Sequence, residues 1–198
     1  MKNYYITTAV LTVIAAFTLS VTAQKKPPVN DDLKTVAKVD LKKYSGKWFE
    51  IARYPNKFQK QCVGNTTATY TTKTNGKIEV LNQCLKNDGL VEDAKGEARI
   101  VDKTTNAKLE VRFAPKFLSF ISAVWGDYWI IYLDDEYQNV AIGDPKREYF
   151  WILSRQAKMD DATYQSILQK AETLGFNPAK VVKTPQNVES VRGASVQK

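Results

Sequence analysis

The first predicted strand of this chain is the stretch Gly46-Lys47-Trp48-Phe49-Glu50-Ile51-Ala52-Arg53-Tyr54. Gly46 allows a sharp change of chain direction, because glycine has no Cβ and adopts backbone conformations that other residues avoid. Trp48 then opens a run with aromatic and β-branched residues, which favour the half-buried surface of a strand. A tryptophan at this place needs deep burial and a partner for its indole N–H. By itself, the stretch also fits the ordinary first strand of any β-domain.

Short strand-like segments follow this stretch, and turn-rich pieces separate them. Residues 68–72 and 77–81 flank Asn75-Gly76, a strong signal for a tight β-hairpin. The other segments are residues 96–101, 108–113, 128–133, 137–142 and 149–154. With the Trp48 strand they make eight, and many short strands joined by hairpins indicate an antiparallel sandwich or barrel. An eight-stranded barrel is just wide enough to hold one small ligand.

One helix is predicted after the strands, at about residues 160–174. Asp160 and Asp161 can cap its start, and Gly175 ends it. Its apolar residues recur at spacings of three and four, so the helix should pack outside the sheet through one face. Residues 39–184 form the predicted barrel domain. The composition of residues 24–38 indicates a linker, and the polar residues 185–198 predict a mobile tail.

Residues 1–23 have the pattern of a secretory signal peptide. Lys2 precedes an apolar run over about residues 9–19, and Val21-Thr22-Ala23 is a small-residue cleavage pattern. Threonines and serines interrupt the run, which disfavours the alternative of an uncleaved membrane anchor. No cysteine follows the run, so we expect no lipid attachment there. The chain is predicted to be exported, to the periplasm or outside the cell.

Cys62 and Cys84 are the two cysteines of the chain, and they flank the predicted hairpin. Neighbouring strands bring both to the same end of the hairpin, and an oxidising compartment would allow them to pair. The alternatives are two free thiols or one reactive thiol.

The composition excludes several function classes. The chain has 198 residues, a net charge of +8 and no histidine. The absence of histidine removes Ser-His-Asp and Cys-His nucleophile pairs, haem ligation by histidine and most catalytic zinc sites. We therefore predict no metal and no cofactor. Basic and acidic residues are interspersed, so a solvated surface is favoured, anionic lipid comes next, and nucleic acid is the least favoured partner.

Three sequence motifs in order resemble the lipocalin family. Gly46-Lys47-Trp48 resembles its first motif, the region starting at Gly126-Asp127-Tyr128 its second, and Trp151-Ile152-Leu153-Ser154-Arg155 its third. The similarity covers about residues 39–186. It is strongest to the group that contains bacterial lipocalin, the plant temperature-induced lipocalins and apolipoprotein D.

The resemblance implies an all-β fold, an eight-stranded antiparallel up-and-down barrel with one C-terminal helix outside. It implies that Trp48 lies across a closed end with Arg155 stacked on it, both in structural roles. Matching positions in the family give the predicted ligand-binding residues Tyr70, Asn82, Phe113, Tyr128, Ile130 and Trp151. In–out alternation adds Ala68, Val80, Leu109, Val111, Tyr149 and Leu153 to the lining, and turns Glu50 and Ala52 inward with Trp48. The same alternation puts Cys62 and Cys84 on the inner rim.

Two functions of different classes are predicted for this chain. The first is a carrier or scavenger of a fatty acid or lysophospholipid, related to membrane maintenance or stress. The basic residues of the predicted mouth loops would meet the head group; they are Lys57, Lys60, Lys86, Lys116, Lys146 and Arg147. The second is a lipid-modifying enzyme on the same barrel, which would need a free inner-rim cysteine.

Residues 114–125 form an unusually apolar connection at the predicted open end. Its apolar members are Phe117, Leu118, Phe120, Ile121, Val124 and Trp125. Such a patch predicts an interaction surface, and we expect peripheral contact with a membrane. A lid over the barrel and a dimer contact are the alternatives, and the chain is expected to be a monomer or a dimer.

Overall fold

The computed structural model describes residues 33–74 and 76–189. The predicted signal peptide, residues 1–23, lies outside them. The helices are α1 (Leu41–Tyr44) and α2 (Asp161–Thr173). The strands are β1 (Gly46–Arg53), β2 (Cys62–Thr72), β3 (Ile78–Lys86), β4 (Val91–Ile100), β5 (Lys108–Arg112), β6 (Gly126–Leu133), β7 (Asn139–Gly143), β8 (Phe150–Ser154) and β9 (Val182–Lys183). Across these ranges, no helix has the length and apolar character needed to cross a membrane.

The first eight strands close into an antiparallel barrel. Strands β2 to β8 pair in chain order, and β1 pairs with β2 on one side and β8 on the other. Because each strand reverses direction, the connections alternate between two ends. The β1–β2, β3–β4, β5–β6 and β7–β8 connections surround the open end, and α1 lies at the closed end. The predicted eight-stranded barrel with an outer helix is confirmed.

Residues 182–188 fill a seam between β1 and β2. These strands pair only as far as Phe49, and β9 then pairs with Ala52 and Arg53 of β1. The Gln186 side-chain amide donates to the carbonyls of Glu50 (2.7 Å) and Thr66 (3.1 Å), so it bridges the two strands. The predicted mobile tail is therefore wrong for residues 185–188. Where β1 and β2 separate, their backbone groups lack each other as partners, and this segment forms hydrogen bonds with them instead.

Residues 33–38 also belong to the folded domain rather than to a linker. Leu33 is buried among the residues under α2, and Val36 packs against the interior of the barrel. The Val36 N–H donates to the Ile130 carbonyl at 2.9 Å. The predicted linker is wrong for this part, since two apolar side chains and a backbone hydrogen bond hold it on the barrel.

Two apolar clusters make up the core, one inside the closed end and one between the sheet and α2. Asp160 caps α2 by accepting from the Thr163 N–H at 2.8 Å, as the sequence predicts. The Phe176 ring lies on Gly143, where an added Cβ would come within 2.3 Å of the ring. That contact requires glycine at position 143.

A β-bulge in β1 changes which side chains face inward. Glu50 lies opposite Leu153, but Ala52 lies opposite Ile152, so one residue of β1 has no counterpart in β8. Ile51 and Ala52 consequently both face the outer cluster under α2. The predicted inward orientation of Ala52 is wrong, because an extra residue shifts the alternation by one position.

Candidate ligand-binding site

The barrel encloses a cavity of about 790 Å³ that opens between the mouth connections. Small residues on β4 help to make this room, because Ala94 and Gly96 lie opposite Asn82 and Val80 of β3. Gly96 has a second reason to be glycine, since an added Cβ would come within 2.8 Å of the Phe113 ring. The volume lies within the range of small-molecule sites.

Most of the predicted lining residues do face this cavity. They are Tyr70, Asn82, Phe113, Tyr128 and Trp151 of the family-derived set, and Ala68, Val80, Val111, Tyr149 and Leu153 of the alternation set. Ile130 and Leu109 do not line it; both are buried in the closed-end core. Their inward direction is as predicted, but Leu109 packs beside its strand partner Tyr128 and Ile130 lies nearer the closed end. The prediction that these two residues contact the ligand space is therefore wrong.

Three linked tyrosine hydroxyls lie at the bottom of the cavity, which Tyr70 and Tyr128 line. The Tyr128 hydroxyl lies 2.7 Å from that of Tyr44 and 2.8 Å from that of Tyr70. Burial raises the pKa of all three, and that of Tyr70 to about 12. The three groups are therefore neutral at physiological pH. Sequence reasoning missed Tyr44, which lies in α1 before the first motif.

Glu50 is a buried carboxylate in the cavity wall. It accepts hydrogen bonds from the Thr184 hydroxyl at 2.5 Å and the Gln59 amide at 2.7 Å, and Arg53 lies 3.6 Å away. Burial raises the pKa of Glu50, while these partners oppose the shift. The Gln59 oxygen also accepts from the Trp151 indole N–H at 3.0 Å. Gln59 thus ties the β1–β2 connection to the cavity wall, a role that its sequence position did not indicate.

An aromatic row runs from the cavity to the rim. The rings of Trp151 and Tyr149 stack with centres 5.9 Å apart and planes 6° apart. Phe58 continues the row, 5.9 Å from Tyr149, and is exposed at the mouth. These faces offer apolar contact to a chain entering the barrel and attraction to a cation at the rim.

The rim is less basic than the sequence predicted. Of the six basic residues, Lys57 and Lys146 line the cavity. Lys86 instead pairs with Asp88 at 2.8 Å, and Arg147 donates to the Leu174 carbonyl at 3.2 Å. Lys60 is exposed away from the lining, and the Lys116 side chain lies outside the described part. Lys86 and Arg147 are thus held by acceptors outside the cavity lining.

At the closed end, Trp48 is fully buried and Arg155 covers it. The guanidinium lies 3.8 Å from the indole centre, and the indole N–H donates to the Tyr44 carbonyl at 2.8 Å. Gly46 has φ +97°, and an added Cβ there would lie 3.4 Å from the Arg155 guanidinium. The stacking has the geometry that the resemblance implied.

Cys62 and Cys84 form a disulfide between β2 and β3 at the rim, with their Cα atoms 5.6 Å apart. Both residues line the cavity. The chain has two cysteines, so the free thiol that the enzyme hypothesis requires does not exist in this state. In the described ranges, histidine, cysteine and acidic side chains form no group of three or more that could hold a metal ion.

The β5–β6 connection is only partly exposed. Phe117 and Phe120 are 74% and 82% exposed, and Ile121 is also exposed. Trp125 instead lies between two guanidinium groups, 4.2 Å from Arg99 and 5.1 Å from Arg112, and donates to the Ser119 carbonyl at 2.8 Å. Trp125 therefore holds the connection on the barrel. Leu118 and Val124 are half-buried too, so the predicted exposed patch is wrong for these two residues and for Trp125.

Comparisons with known proteins agree with this architecture. Residues 39–186 match the family described as Lipocalin-like domain. Temperature-induced lipocalin-1 of Arabidopsis thaliana is 42% identical over 160 residues, which cover 79% of this chain and 84% of that protein. Outer membrane lipoprotein Blc of Escherichia coli (strain K12) is 32% identical over 173 residues, 87% and 92% of the two chains. Apolipoprotein D of Macaca fascicularis is 35% identical over 167 residues, 81% and 80%.

A solved structure shows the same fold at lower identity. Insecticyanin from the tobacco hornworm superposes with a TM-score of 0.61 at 22% identity, covering 78% of this chain and 84% of that one. The closed barrel, the outer helix, the three motifs and the match over residues 39–186 lead to one assignment. The chain belongs to the lipocalin family, whose members bind small hydrophobic ligands.

Proposed function

We propose that this protein is an exported lipocalin that carries or scavenges one fatty acid or lysophospholipid. The observation that supports this most is the cavity of about 790 Å³, open at one end and with a mostly apolar lining surface. Each buried methylene contributes about 0.8 kcal/mol, so ten would contribute about 8 kcal/mol before entropy costs. One acyl chain can therefore drive binding without a strong polar anchor.

Export is supported by two independent features. Residues 1–23 have the pattern of a signal peptide, and the Cys62–Cys84 disulfide suits an oxidising compartment. One relative is named an outer membrane lipoprotein and another an apolipoprotein, and both names associate those proteins with lipid. We propose a periplasmic or extracellular location for this chain.

Competition with a fluorescent fatty acid tests the ligand class. Trp151→Ala should weaken the affinity about tenfold, because it removes an aromatic wall of the cavity and opens the row from Tyr149. Trp129→Ala is the matched control, since Trp129 belongs to the outer cluster. Equal affinity of all three proteins would refute the site, and no binding by the wild type would refute the function.

We further propose that the mouth rests on a membrane surface. Exposed large hydrophobic side chains of the described part concentrate around the open end; they are Phe58, Val63, Leu90, Val91, Phe113, Phe117, Phe120 and Ile121. They come from the β1–β2, β3–β4 and β5–β6 connections and the strand ends beside them, so the patch surrounds the opening on several sides. Such an arrangement would let a lipid pass between the bilayer and the cavity without crossing water.

Liposome sedimentation tests this proposal. Phe117→Ser/Phe120→Ser should lower binding to anionic liposomes and leave fatty-acid affinity in solution unchanged. Val101→Ser is the control, because Val101 is exposed in the β4–β5 connection at the closed end. Loss of solution affinity alone would indicate a lid instead. A change only in oligomer size would indicate a dimer contact.

A further inference from the structure

The charges that line the cavity have the opposite sign to the chain as a whole. The chain carries a net charge of +8. Among described side chains, the lysines lining the cavity are Lys57 and Lys146. The carboxylates lining it are Glu50, Glu92, Asp127, Asp144 and Glu148. A ligand whose polar head is a single negative charge does not match this lining.

Two of these carboxylates form hydrogen bonds within the protein that stabilise the fold. Glu50 accepts from Thr184 and Gln59 inside the wall. Asp144 accepts from the backbone N–H groups of Lys146 (3.0 Å) and Tyr149 (2.6 Å), so it shapes the β7–β8 connection. Each oxygen of these two carboxylates already accepts a hydrogen bond from the protein itself.

The other three carboxylates lie at the rim, and that of Asp127 is hydrogen-bonded to the Trp129 indole on the outer face of β6. Glu92 follows the inward alternation of β4, lies opposite Cys84, and accepts one hydrogen bond from Gln61 at 3.3 Å. Asp127 and Glu148 are exposed at the mouth. Glu148 directly precedes Tyr149, the middle ring of the aromatic row. Carboxylates and aromatic faces therefore lie together around one opening.

This combination is what an ammonium group prefers. Aromatic faces attract cations through their quadrupole, and quaternary ammonium ligands are recognised in this way. The Lys57 ammonium already lies against this aromatic row, with Nζ 5.2 Å from the centre of the Phe58 ring. Lys57 and Lys146 supply positive charge to the same opening, so a head group with one phosphate and one ammonium would meet both signs.

We propose that the mouth selects lysophospholipids with an ammonium-bearing head group, such as choline or ethanolamine, over fatty acids and anionic lysophospholipids. This inference rests on the proposed lipid-binding function and narrows its ligand. The acyl chain would lie in the cavity, the phosphate near the two lysines, and the ammonium among the rim carboxylates and the Phe58–Tyr149 rings.

The test compares three ligands with the same 14-carbon acyl chain, all below their micelle concentrations: lysophosphatidylcholine, lysophosphatidylglycerol and the free fatty acid. At low ionic strength the choline lipid should bind at least about fivefold more tightly than either anionic ligand. Added salt should reduce this difference, because it screens charges at an exposed rim. Lysophosphatidylethanolamine separates the aromatic from the carboxylate contribution, since a smaller preference for it would point to the rings.

The variant Glu92→Gln/Glu148→Gln should reduce the preference to less than about twofold. Asp135→Asn/Glu136→Gln changes the net charge equally in the β6–β7 connection at the closed end, and should preserve the preference. Equal wild-type affinities for all three ligands would overturn this inference and leave the carrier function standing, whereas no binding of any ligand would overturn the function itself. A preference that survives the rim variant would overturn the assignment to these carboxylates.

Discussion

Replacing Arg155 by methionine should loosen the closed end of the barrel. The Arg155 guanidinium lies 3.8 Å from the Trp48 ring centre. Its N–H groups lie within hydrogen-bonding distance of the carbonyls of Lys43 (2.7 Å), Tyr44 (3.1 Å), Ser45 (2.9 Å), Lys47 (2.8 Å) and Tyr137 (3.3 Å). One side chain thereby joins α1, the start of β1 and the β6–β7 connection.

These contacts set the expected decrease in the free energy of unfolding. A hydrogen bond to a charged group contributes about 1.5–3 kcal/mol, and cation–π stacking contributes about 1 kcal/mol. Several of the acceptors lie near the surface, so water would replace part of what the guanidinium supplies. We therefore expect Arg155→Met to lower the free energy of unfolding by about 3–4 kcal/mol, well below the sum over all five carbonyls.

Urea unfolding followed by far-ultraviolet circular dichroism measures this loss. Lys103→Met, in the exposed β4–β5 connection, is the control for removing a positive charge. Arg155→Lys should fall between wild type and Arg155→Met, since an ammonium keeps the charge but not the planar fork. A methionine variant within about 0.5 kcal/mol of wild type would refute the role of Arg155. A lysine variant as stable as wild type would show that charge alone is sufficient.

The other predictions concern the disulfide and the buried carboxylate. Cys62→Ser/Cys84→Ser should lower the free energy of unfolding by about 3 kcal/mol, because the bridge closes a loop with a sequence separation of 22; urea midpoints equal to those of the oxidised wild type would contradict this. Burial raises the pKa of Glu50, so the folded state holds its proton more tightly, and this stabilisation is present below the unfolded pKa and is lost as pH rises through the folded one. Wild-type stability relative to Glu50→Gln should therefore fall as pH rises above the unfolded pKa of about 4.3, and a constant difference would argue against a raised pKa.

Local sequence patterns were sufficient for the type and order of the main elements. The in–out alternation along β8 depends on neighbouring residues alone, and so do the capping by Asp160 and the helix face of α2. The burial of Trp48 could be predicted because a large indole at the start of a strand is stabilised by burial in the core. These features need no knowledge of distant partners, so they could be predicted together with the eight-strand barrel.

The cavity and its rim depended on contacts between residues far apart in the chain. Alternation gave the direction of Ile130 but not its depth, because depth depends on the tyrosine hydroxyls that meet above it. The bulge in β1 turned Ala52 outward, and a bulge depends on the register with β8 rather than on β1 itself. Neither the depth of Ile130 nor the bulge in β1 can be recognised from the sequence of the strand in which it occurs.

The family, the barrel and the apolar character of the interior could be predicted, because they follow from local periodicity and three short motifs. Which polar groups reach the ligand space depends on contacts between distant parts of the chain. Gln59 inserts between Glu50 and Trp151, and Trp125 turns back onto Arg99. A loop side chain takes the orientation that its distant partners stabilise most, and those partners come together only when the barrel closes.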